Sequence, residues 1–447
     1  MAGPGSRALQ RVVVDTSALR GSRDFRLLFL GQGISQIGSQ LRIVALPYQI
    51  FLITHSSAMV GVLSLAQFIP LLIFSLVGGA LADFRDRRRI LFYTQALLAV
   101  TSALLAVGTY TGHASVVFLF AVAAAAAGVS AFDQPTRRAA IPRMVRREDL
   151  MSAFALNQVL AQFGNVLGPA IGGVVIAALG LPAAYAADVI GFMASLATLI
   201  FIAPIPPDPA MAAAAGSRQS PQPGRAAAAR EGLTDLRRSL SSIAEGLRFL
   251  KDRKVILGCM LLDLDATFFG GPRALFPALA TLVYRNGAAG LGLLYSAPAV
   301  GGLLAALTSG WVTGLRRQGA TVAGAVVVWG LAIAAFGFAE KNFVLGLGLL
   351  ALAGAADMIS AVLRGTIVQM AAPDRMRGRM SGVHFMFVTG GPRLGDLEAG
   401  VVASLSSIEF SVVSGGIAAA IGAVALAFAL PAFIGYDAAA AQEEVPA

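Results

Sequence analysis

Ionisable and strongly polar side chains occur inside several long apolar segments of this chain. A charge in such a segment is costly, so each one is a candidate for a functional role. A carboxylate there can bind and release a proton, and a guanidinium group can bind anionic or polar groups of a substrate. The carboxylates that we expect to bind a proton are Asp263 and Asp396. The side chains that we expect to line a substrate cavity are Gln36, Gln40, Arg42, Arg273 and Arg393.

Gly-Gly-Pro triplets at residues 270–272 and 390–392 lie beside these candidates. Asp263 precedes the first triplet, and Arg393 and Asp396 follow the second at a spacing that lets them pair on a helix. A helix that is interrupted near the middle of the bilayer is where transporters often place a substrate site. The alternative is a static ion pair that only joins the two segments.

Other charges in the apolar segments have less definite roles. Asp265 lies two residues after Asp263, so the two side chains point in roughly opposite directions and at most one faces a cavity. Asp357 and Arg364 share one face near the end of a segment, where gating or packing is favoured over binding. Asp188 is isolated in the sequence, which assigns it no role.

Several kinds of chemistry find no support in the sequence. The three histidines, His55, His113 and His384, match no metal-ligand spacing, and the single cysteine, Cys259, excludes a disulfide framework. No nucleotide-binding loop and no Gly-x-Ser-x-Gly motif is present. We therefore expect no cofactor, no metal and no enzyme activity.

The composition indicates an integral membrane protein. Of the 447 residues, 57% are hydrophobic and 13% are charged, whereas a soluble domain carries about 25% charged residues. The mean hydropathy is +0.75. Backbone groups in lipid must be satisfied within the segment, so the spans are helices and the fold is all-α. We count twelve spans, at roughly 26–53, 57–82, 90–111, 115–136, 150–179, 182–203, 254–284, 288–314, 320–339, 342–369, 377–405 and 408–434.

The distribution of positive charge predicts the orientation. The chain has a net charge of +10, but Arg and Lys are concentrated in alternate loops, which is typical of membrane topology rather than of nucleic-acid binding. With both termini inside, the inner segments hold 28 Arg and Lys and the outer loops hold two, Arg285 and Lys341. The first span is too long for a cleavable signal peptide. We predict a multi-pass protein of the bacterial plasma (inner) membrane, with cytoplasmic termini.

The order of the segments predicts two halves. A cytoplasmic N-terminal segment (1–25) precedes six helices (26–203), a cytoplasmic linker with an amphipathic helix (204–253), six more helices (254–434) and a cytoplasmic tail (435–447). Short sequence echoes recur between the halves at an offset of about 230 residues. We therefore predict two pseudo-symmetric six-helix bundles.

The loop at residues 79–89 resembles the helix 2–3 loop motif of the major facilitator superfamily, Gly-x3-Asp-Arg-x-Gly-Arg-Arg. Gly79, Asp83, Arg87 and Arg88 match this motif, whereas Phe84 and Asp86 replace two of its residues. The resemblance implies a gating loop whose contacts form in one conformation and break in another. A basic loop that only sets the topology explains the arginines but not Asp83.

A second motif lies in the fifth predicted helix. The sequence Gly164-x3-Gly168-Pro169-x2-Gly172-Gly173 is similar to the antiporter motif of the same superfamily, whose antiporters are exporters. Small residues at this spacing let a neighbouring backbone approach closely, and the proline kinks the helix. Ordinary glycine-rich packing predicts small residues but not the whole pattern.

Stretches spread over both halves resemble the branch of the superfamily that contains siderophore exporters and macrolide efflux pumps. They include residues 45–50, 273–280 and 292–295. The resemblance implies a monomeric secondary active exporter that moves a siderophore-like small molecule outward by proton antiport and alternating access. Its partners are then a small-molecule substrate, protons and the bilayer, with no nucleic acid. The alternatives are a macrolide or multidrug efflux pump and, in another class, a non-transporting receptor or scaffold.

Overall fold

The structure is a computed structural model of the chain. It describes residues 15–84, 86–206, 253–308, 315–339, 342–371 and 377–437, together with residues 245, 248 and 250. For residues 76–84, 377–379 and 381 it describes the backbone alone.

The described residues form twelve long helices, and the all-α prediction is confirmed. The N half contains α1 (Arg23–Thr54), α2 (Ser57–Phe84), α3 (Arg87–Tyr110), α4 (Val116–Met144), α5 (Leu150–Leu179) and α6 (Leu181–Ile200). The C half contains α7 (Lys254–Phe269), α8 (Gly287–Leu307), α9 (Gln318–Gly337), α10 (Phe343–Ala371), α11 (Arg377–Leu405) and α12 (Ile408–Ala429).

Eleven of the described helices are long and apolar enough to cross a membrane. The remaining long helix is α11, which has 29 residues and carries Arg393, Asp396 and Glu398 in its second half. It packs between α2 and α7, so these charges face other helices as well as cavities.

Local sequence sets the ends of the helices. Ser115 and Ser407 cap α4 and α12, because each hydroxyl accepts a hydrogen bond from the backbone N–H three residues later. Gly180 alone joins α5 to α6, with a φ of 82° that favours glycine.

Helix packing shows the pseudo-symmetry that the sequence predicts. In the N half, α1 packs against α5 and α6, α2 against α4, and α3 against α4 and α6. In the C half, α7 packs against α11 and α12, α8 against α10, and α9 against α10 and α12. The second set is the first with six added to each helix number. Between the halves, α2 packs against α11 and α5 packs against α8. Replacing each helix by its equivalent in the other half turns one of these contacts into the other.

The two Gly-Gly-Pro triplets have different effects on their helices. The α7 helix ends at Phe269, and the chain resumes in short helical turns from Pro272 to Val283, as the first triplet predicts. The expectation of a second break is wrong, because α11 continues through Pro392. The reason lies in the packing: the carbonyl groups of Thr267 and Phe268 at the end of α7 lie against Gly395, and the Thr267 side chain lies against Gly391, so a side chain at either glycine would collide with α7.

In the described part of the chain, buried hydrophobic side chains join the halves at one end only. We call the end that carries Arg23, Arg87 and Arg146 the basic end, and the opposite end, with His55 and Gly180, the distal end. The largest buried cluster lies at the distal end and contains residues of both halves, such as Phe51 and Tyr185 with Phe276 and Phe336. Among the described residues, each buried cluster towards the basic end belongs to one half alone. The structure is therefore closed at the distal end.

Parts of the predicted domain organisation fall outside the described residues. Glu245, Arg248 and Leu250 are helical, and Leu250 is buried against Ile256 and Met380. The rest of the amphipathic helix predicted within the linker at 204–253 and most of the two termini lie outside the described residues. The domain boundaries therefore remain predictions.

Candidate functional site

A cavity of about 380 Å³ lies between the two halves, beneath the distal closure, and we call it the central chamber. Helices α1, α2, α4, α8 and α11 and the broken part of α7 form its wall. Its polar and charged lining residues are Arg42, Ser64, Gln67, Ser130, Arg273, Tyr295, Arg393 and Asp396. Three guanidinium groups and one carboxylate therefore face this space.

Arg273 is the most available of the three cations. It follows the break in α7, which directs its side chain into the space between the halves. It is exposed, and within the described residues its guanidinium forms no ion pair within 4 Å. A guanidinium in this position is free to bind an anionic group of a ligand.

Asp396 joins the halves rather than pairing with its own helix neighbour. Its Oδ2 accepts a hydrogen bond of 2.7 Å from the Ser64 hydroxyl of α2. Arg393 instead donates to the Thr389 carbonyl oxygen at 2.9 Å and lies 6.0 Å from the centre of the Phe68 ring. Among the described residues, Arg393 and Asp396 therefore do not form the expected ion pair within 4 Å.

Arg42 lies on the wall of the central chamber and forms an ion pair with a carboxylate outside the chamber. Its Nε is 2.8 Å from Oδ2 of Asp188, whose side chain is fully buried. Asp188 also accepts hydrogen bonds from the hydroxyl groups of Ser102, at 2.6 Å, and Ser39, at 3.3 Å. The carboxylate to which the sequence assigned no role is therefore the counter-ion of a chamber residue and links α1, α3 and α6.

Gln36 and Gln40 were expected to line the cavity, but the structure places them against α5. Gln36 packs on Gly164, and Gln40 packs on Gly168 and donates a 2.5 Å hydrogen bond to Asn165. Neither glutamine lines the central chamber. These two polar side chains therefore serve contacts between helices α1 and α5 rather than the cavity.

A second cavity, of about 320 Å³, lies within the C half, and we call it the C-half chamber. Asp263 lines it, with Oδ1 at 2.7 Å from Nη2 of Arg364. Asp357 lies on the same wall, 3.6 Å from that nitrogen. Asp265 points the other way and packs on Gly422 of α12, as the two-residue spacing predicts. The two chambers share the wall residues Arg273, Pro392 and Asp396.

The residues of the predicted gating loop make contacts within the N half. Arg88 donates to the carbonyl oxygens of Leu199 and Ile200, at 2.9 and 2.8 Å, and so caps the end of α6. The backbone N–H of Arg87 donates to the carbonyl oxygen of Ile205. The side chain of Asp83 lies outside the described residues, so the gating role of this loop remains a prediction.

The glycines of α5 serve two interfaces. Gly164, Gly168 and Gly172 face α1. Gly173 faces the other half, where a Cβ on it would lie 2.5–3.0 Å from backbone atoms of Ala288 and Gly292. The motif therefore permits a close crossing of α5 and α8 at the distal end.

We expect Gly173→Val to prevent full distal closure, because overpacking a tight contact costs about 1–3 kcal/mol. Spin labels at Leu179 and Leu282, both exposed and on opposite halves, would measure the opening in a Cys259→Ala background. The matched control is Gly348→Val, since a Cβ at Gly348 meets open space. An unchanged label distance in Gly173→Val would contradict the proposed role of this crossing.

Sequence reasoning missed two residues of these sites and one ion pair. The residues are Ser64 of the central chamber and His384, which lines the C-half chamber. Ser64 is one of many serines in apolar segments, and no local pattern distinguishes it. His384 was considered only as a metal ligand, although a histidine in an apolar segment is itself a signal of proton chemistry. The partner of Asp188 could have been sought among the unpaired arginines of the N half, where Arg42 is the one inside a span.

The sequence was compared with known families and curated proteins. Residues 17–213 and 224–446 match the family described as transmembrane secretion effector. The enterobactin exporter of Citrobacter koseri is 29% identical over 412 residues, which cover 91% of this chain and 92% of that protein. The enterobactin exporter of Escherichia coli O9:H4 is 29% identical over 379 residues, or 84% of each chain.

Solved transporter structures share the fold at low sequence identity. A peptide transporter superposes with a TM-score of 0.70 and 12% identity, covering 97% of this chain and 99% of that one. A nucleoside transporter superposes with a TM-score of 0.66 and 15% identity, covering 93% and 100%. These similarities support the two-bundle architecture.

Proposed function

Because the chain belongs to the transmembrane secretion effector family of the major facilitator superfamily, we propose that it exports an anionic, siderophore-like small molecule by proton-coupled alternating access. The family and its relatives make it a multi-pass membrane transporter of small molecules rather than an enzyme. Because the named relatives are bacterial exporters, we place it in the inner membrane.

The observation that carries this proposal is the central chamber between the halves. Three guanidinium groups line this chamber, those of Arg42, Arg273 and Arg393. Only two carboxylates, Asp188 and Asp396, contact these arginines or line the chamber with them. This excess of positive charge in a partly desolvated space favours an anionic ligand. The enterobactin exporters named above suggest a siderophore as that ligand.

The closure of the distal end supports alternating access. The basic end carries most of the arginines outside the spans, so the positive-inside rule places it in the cytoplasm. In that orientation, closure at the distal end would shield the chamber from the outside, and substrate would enter it from the cytoplasm. Rocking of the halves about the chamber, with the α2–α11 and α5–α8 contacts breaking at the distal end, would release the substrate outside.

We propose that proton influx drives export, because this chain contains carboxylates that can bind and release a proton. A carboxylate near a guanidinium group can exchange its charge for a proton when the surroundings change. Asp263 and Asp396 are the candidates, since each lines a chamber and lies near an arginine. Gly164, Gly168, Gly172 and Gly173 would permit the accompanying helix movements.

Iron-starved cells with and without the gene test the function. The cells used must synthesise enterobactin themselves. We expect enterobactin to appear in the medium when the wild-type chain is present and to accumulate inside the cells when the chain is absent. An unchanged distribution would contradict siderophore export. A panel of macrolides and cationic dyes in the same cells then tests the alternative, drug efflux, which the positive chamber disfavours.

In that assay we expect Asp396→Asn to abolish export while the protein remains folded. The amide can still accept the hydrogen bond from Ser64, but it cannot carry the charge that faces Arg273 and Arg393. The matched control is Glu398→Gln on the same helix, which lines neither chamber and should export as the wild type does. Wild-type export by Asp396→Asn would remove this carboxylate from the mechanism.

A further inference from the structure

The C-half chamber contains proton-binding atoms that have no partner. Oδ1 of Asp263 lies 2.7 Å from Arg364, but its Oδ2 is buried without a hydrogen bond among the described residues. Nδ1 of His384, on α11, is likewise buried and unpartnered in the described part of the chain. Both side chains line the same cavity and interact electrostatically.

We infer that Asp263 and His384 together form the site that binds and releases the coupling proton. The inference rests on the proposed proton antiport and assigns the proton to one of its two candidate carboxylates. A carboxylate oxygen and an imidazole nitrogen can each accept a proton, and a charge on either one changes the proton affinity of the other. Asp396, on the wall between the chambers, would then be the carboxylate that faces the substrate-binding arginines.

The charges around the site favour a proton over a metal ion. The Arg364 guanidinium already occupies one oxygen of Asp263, and its positive charge repels a divalent ion more strongly than a single proton. No group of three or more His, Cys, Asp or Glu suited to a metal occurs among the described residues. A proton needs only one free lone pair, which both Asp263 Oδ2 and His384 Nδ1 offer.

Arg364 gives the site two arrangements. Its Nη2 lies 2.7 Å from Asp263 Oδ1 and 3.6 Å from Asp357 Oδ1. The Asp263 side chain is 6% exposed, whereas that of Asp357 is 57% exposed. A proton on Asp263 removes its attraction for Arg364, so the guanidinium shifts towards Asp357. Because Arg364 lies on α10 and Asp263 on α7, protonation loosens the contact between these two helices.

The groups that face this site come from three helices. Asp263 and the buried Cys259 lie on α7, Asp357 and Arg364 on α10, and His384 on α11. Helix α9 contributes only apolar side chains such as Trp329 to the described wall, and α12 contributes none. Titration of the site is therefore governed by these residues, with Arg273 and Asp396 at the edge nearest the central chamber.

Histidine NMR tests the inference directly, because the chain has only three histidines. The full-length protein, labelled at histidine and placed in lipid nanodiscs, should show three titrating signals, with His384 assigned by its loss in His384→Asn. We expect Asp263→Asn to move the midpoint of the His384 titration by about one pH unit, since the negative charge of Asp263 acts on His384 across the same cavity. The signals of His55 and His113 should not move, and Glu398→Gln should leave all three unchanged. A His384 titration unaltered by Asp263→Asn would overturn the inference.

Transport gives the second readout. We expect His384→Asn to lower enterobactin export at least tenfold, which corresponds to about 1.4 kcal/mol, and to flatten the pH profile of export. Binding of enterobactin to the purified protein should change less than about threefold. The control is His113→Asn, an exposed histidine in the turn after α3. A normal pH profile in His384→Asn would overturn the proton site. Absence of export by the wild-type chain would contradict the proposed function instead, and the NMR result would still decide whether Asp263 and His384 share a titration.

Discussion

Arg273→Gln is expected to reduce export about 100-fold while leaving the stability of the protein unchanged. Removing one partner of a desolvated charge pair costs about 2–5 kcal/mol, and the substrate anion is the partner that Arg273 lacks. Within the described residues its guanidinium forms no ion pair within 4 Å and its side chain is exposed, so we expect the folded protein to lose little stability when it is replaced. Export from cells and thermal unfolding of the purified protein measure the two effects separately.

Two further variants define the role of Arg273. Arg273→Lys keeps the charge but loses the planar guanidinium, so we expect an intermediate loss of export. Arg285→Gln removes an exposed arginine in the turn before α8 and should have no effect. If Arg273→Gln exports at the wild-type rate, the central chamber does not bind its substrate through this side chain.

Asp188→Asn is expected to destabilise the N half by about 3 kcal/mol or more. Breaking a buried ion pair leaves the remaining charge without compensation, and the charge here is the Arg42 guanidinium, 2.8 Å away. Ser39 and Ser102 donate to different oxygens of Asp188, so the single amide oxygen can replace only one of these acceptors, which adds to the loss of the charge. Thermal unfolding of the purified protein in detergent measures it.

The double variant Arg42→Gln with Asp188→Asn separates folding from transport. Removing both charges should restore much of the stability, because neither is left unpaired. It should not restore export, since Arg42 also lines the central chamber. Wild-type stability of Asp188→Asn alone would show that Asp188 carries no charge in the folded protein.

The sequence predicts the fold well because the physics of the bilayer is strict. Span length, the requirement for internal backbone hydrogen bonds and the loop charges each limit the possible architectures. The same rules place Arg42, Asp263, Arg273 and Asp396 inside the membrane. They do not show which neighbouring helix each side chain meets, because that depends on packing between segments far apart in sequence.

The errors of the sequence interpretation have this common cause. Gln36 and Gln40 are polar residues on one face of α1, and the sequence cannot distinguish a cavity from the glycine-lined surface of α5. Pro392 ends no helix, because the continuous backbone of α11 is what packs against the broken end of α7. The partner of Asp188 lies 146 residues away on α1, a separation that no local pattern spans.

The measurement that tests the central claim most directly is enterobactin uptake into inverted membrane vesicles with an acidified interior. In such vesicles the cytoplasmic side faces outward, so export appears as accumulation inside. We predict accumulation that requires the wild-type chain, collapses when a protonophore is added and is lost in Arg273→Gln. Accumulation equal to that of vesicles without the chain, or accumulation unaffected by the protonophore, would contradict proton-coupled export through the central chamber.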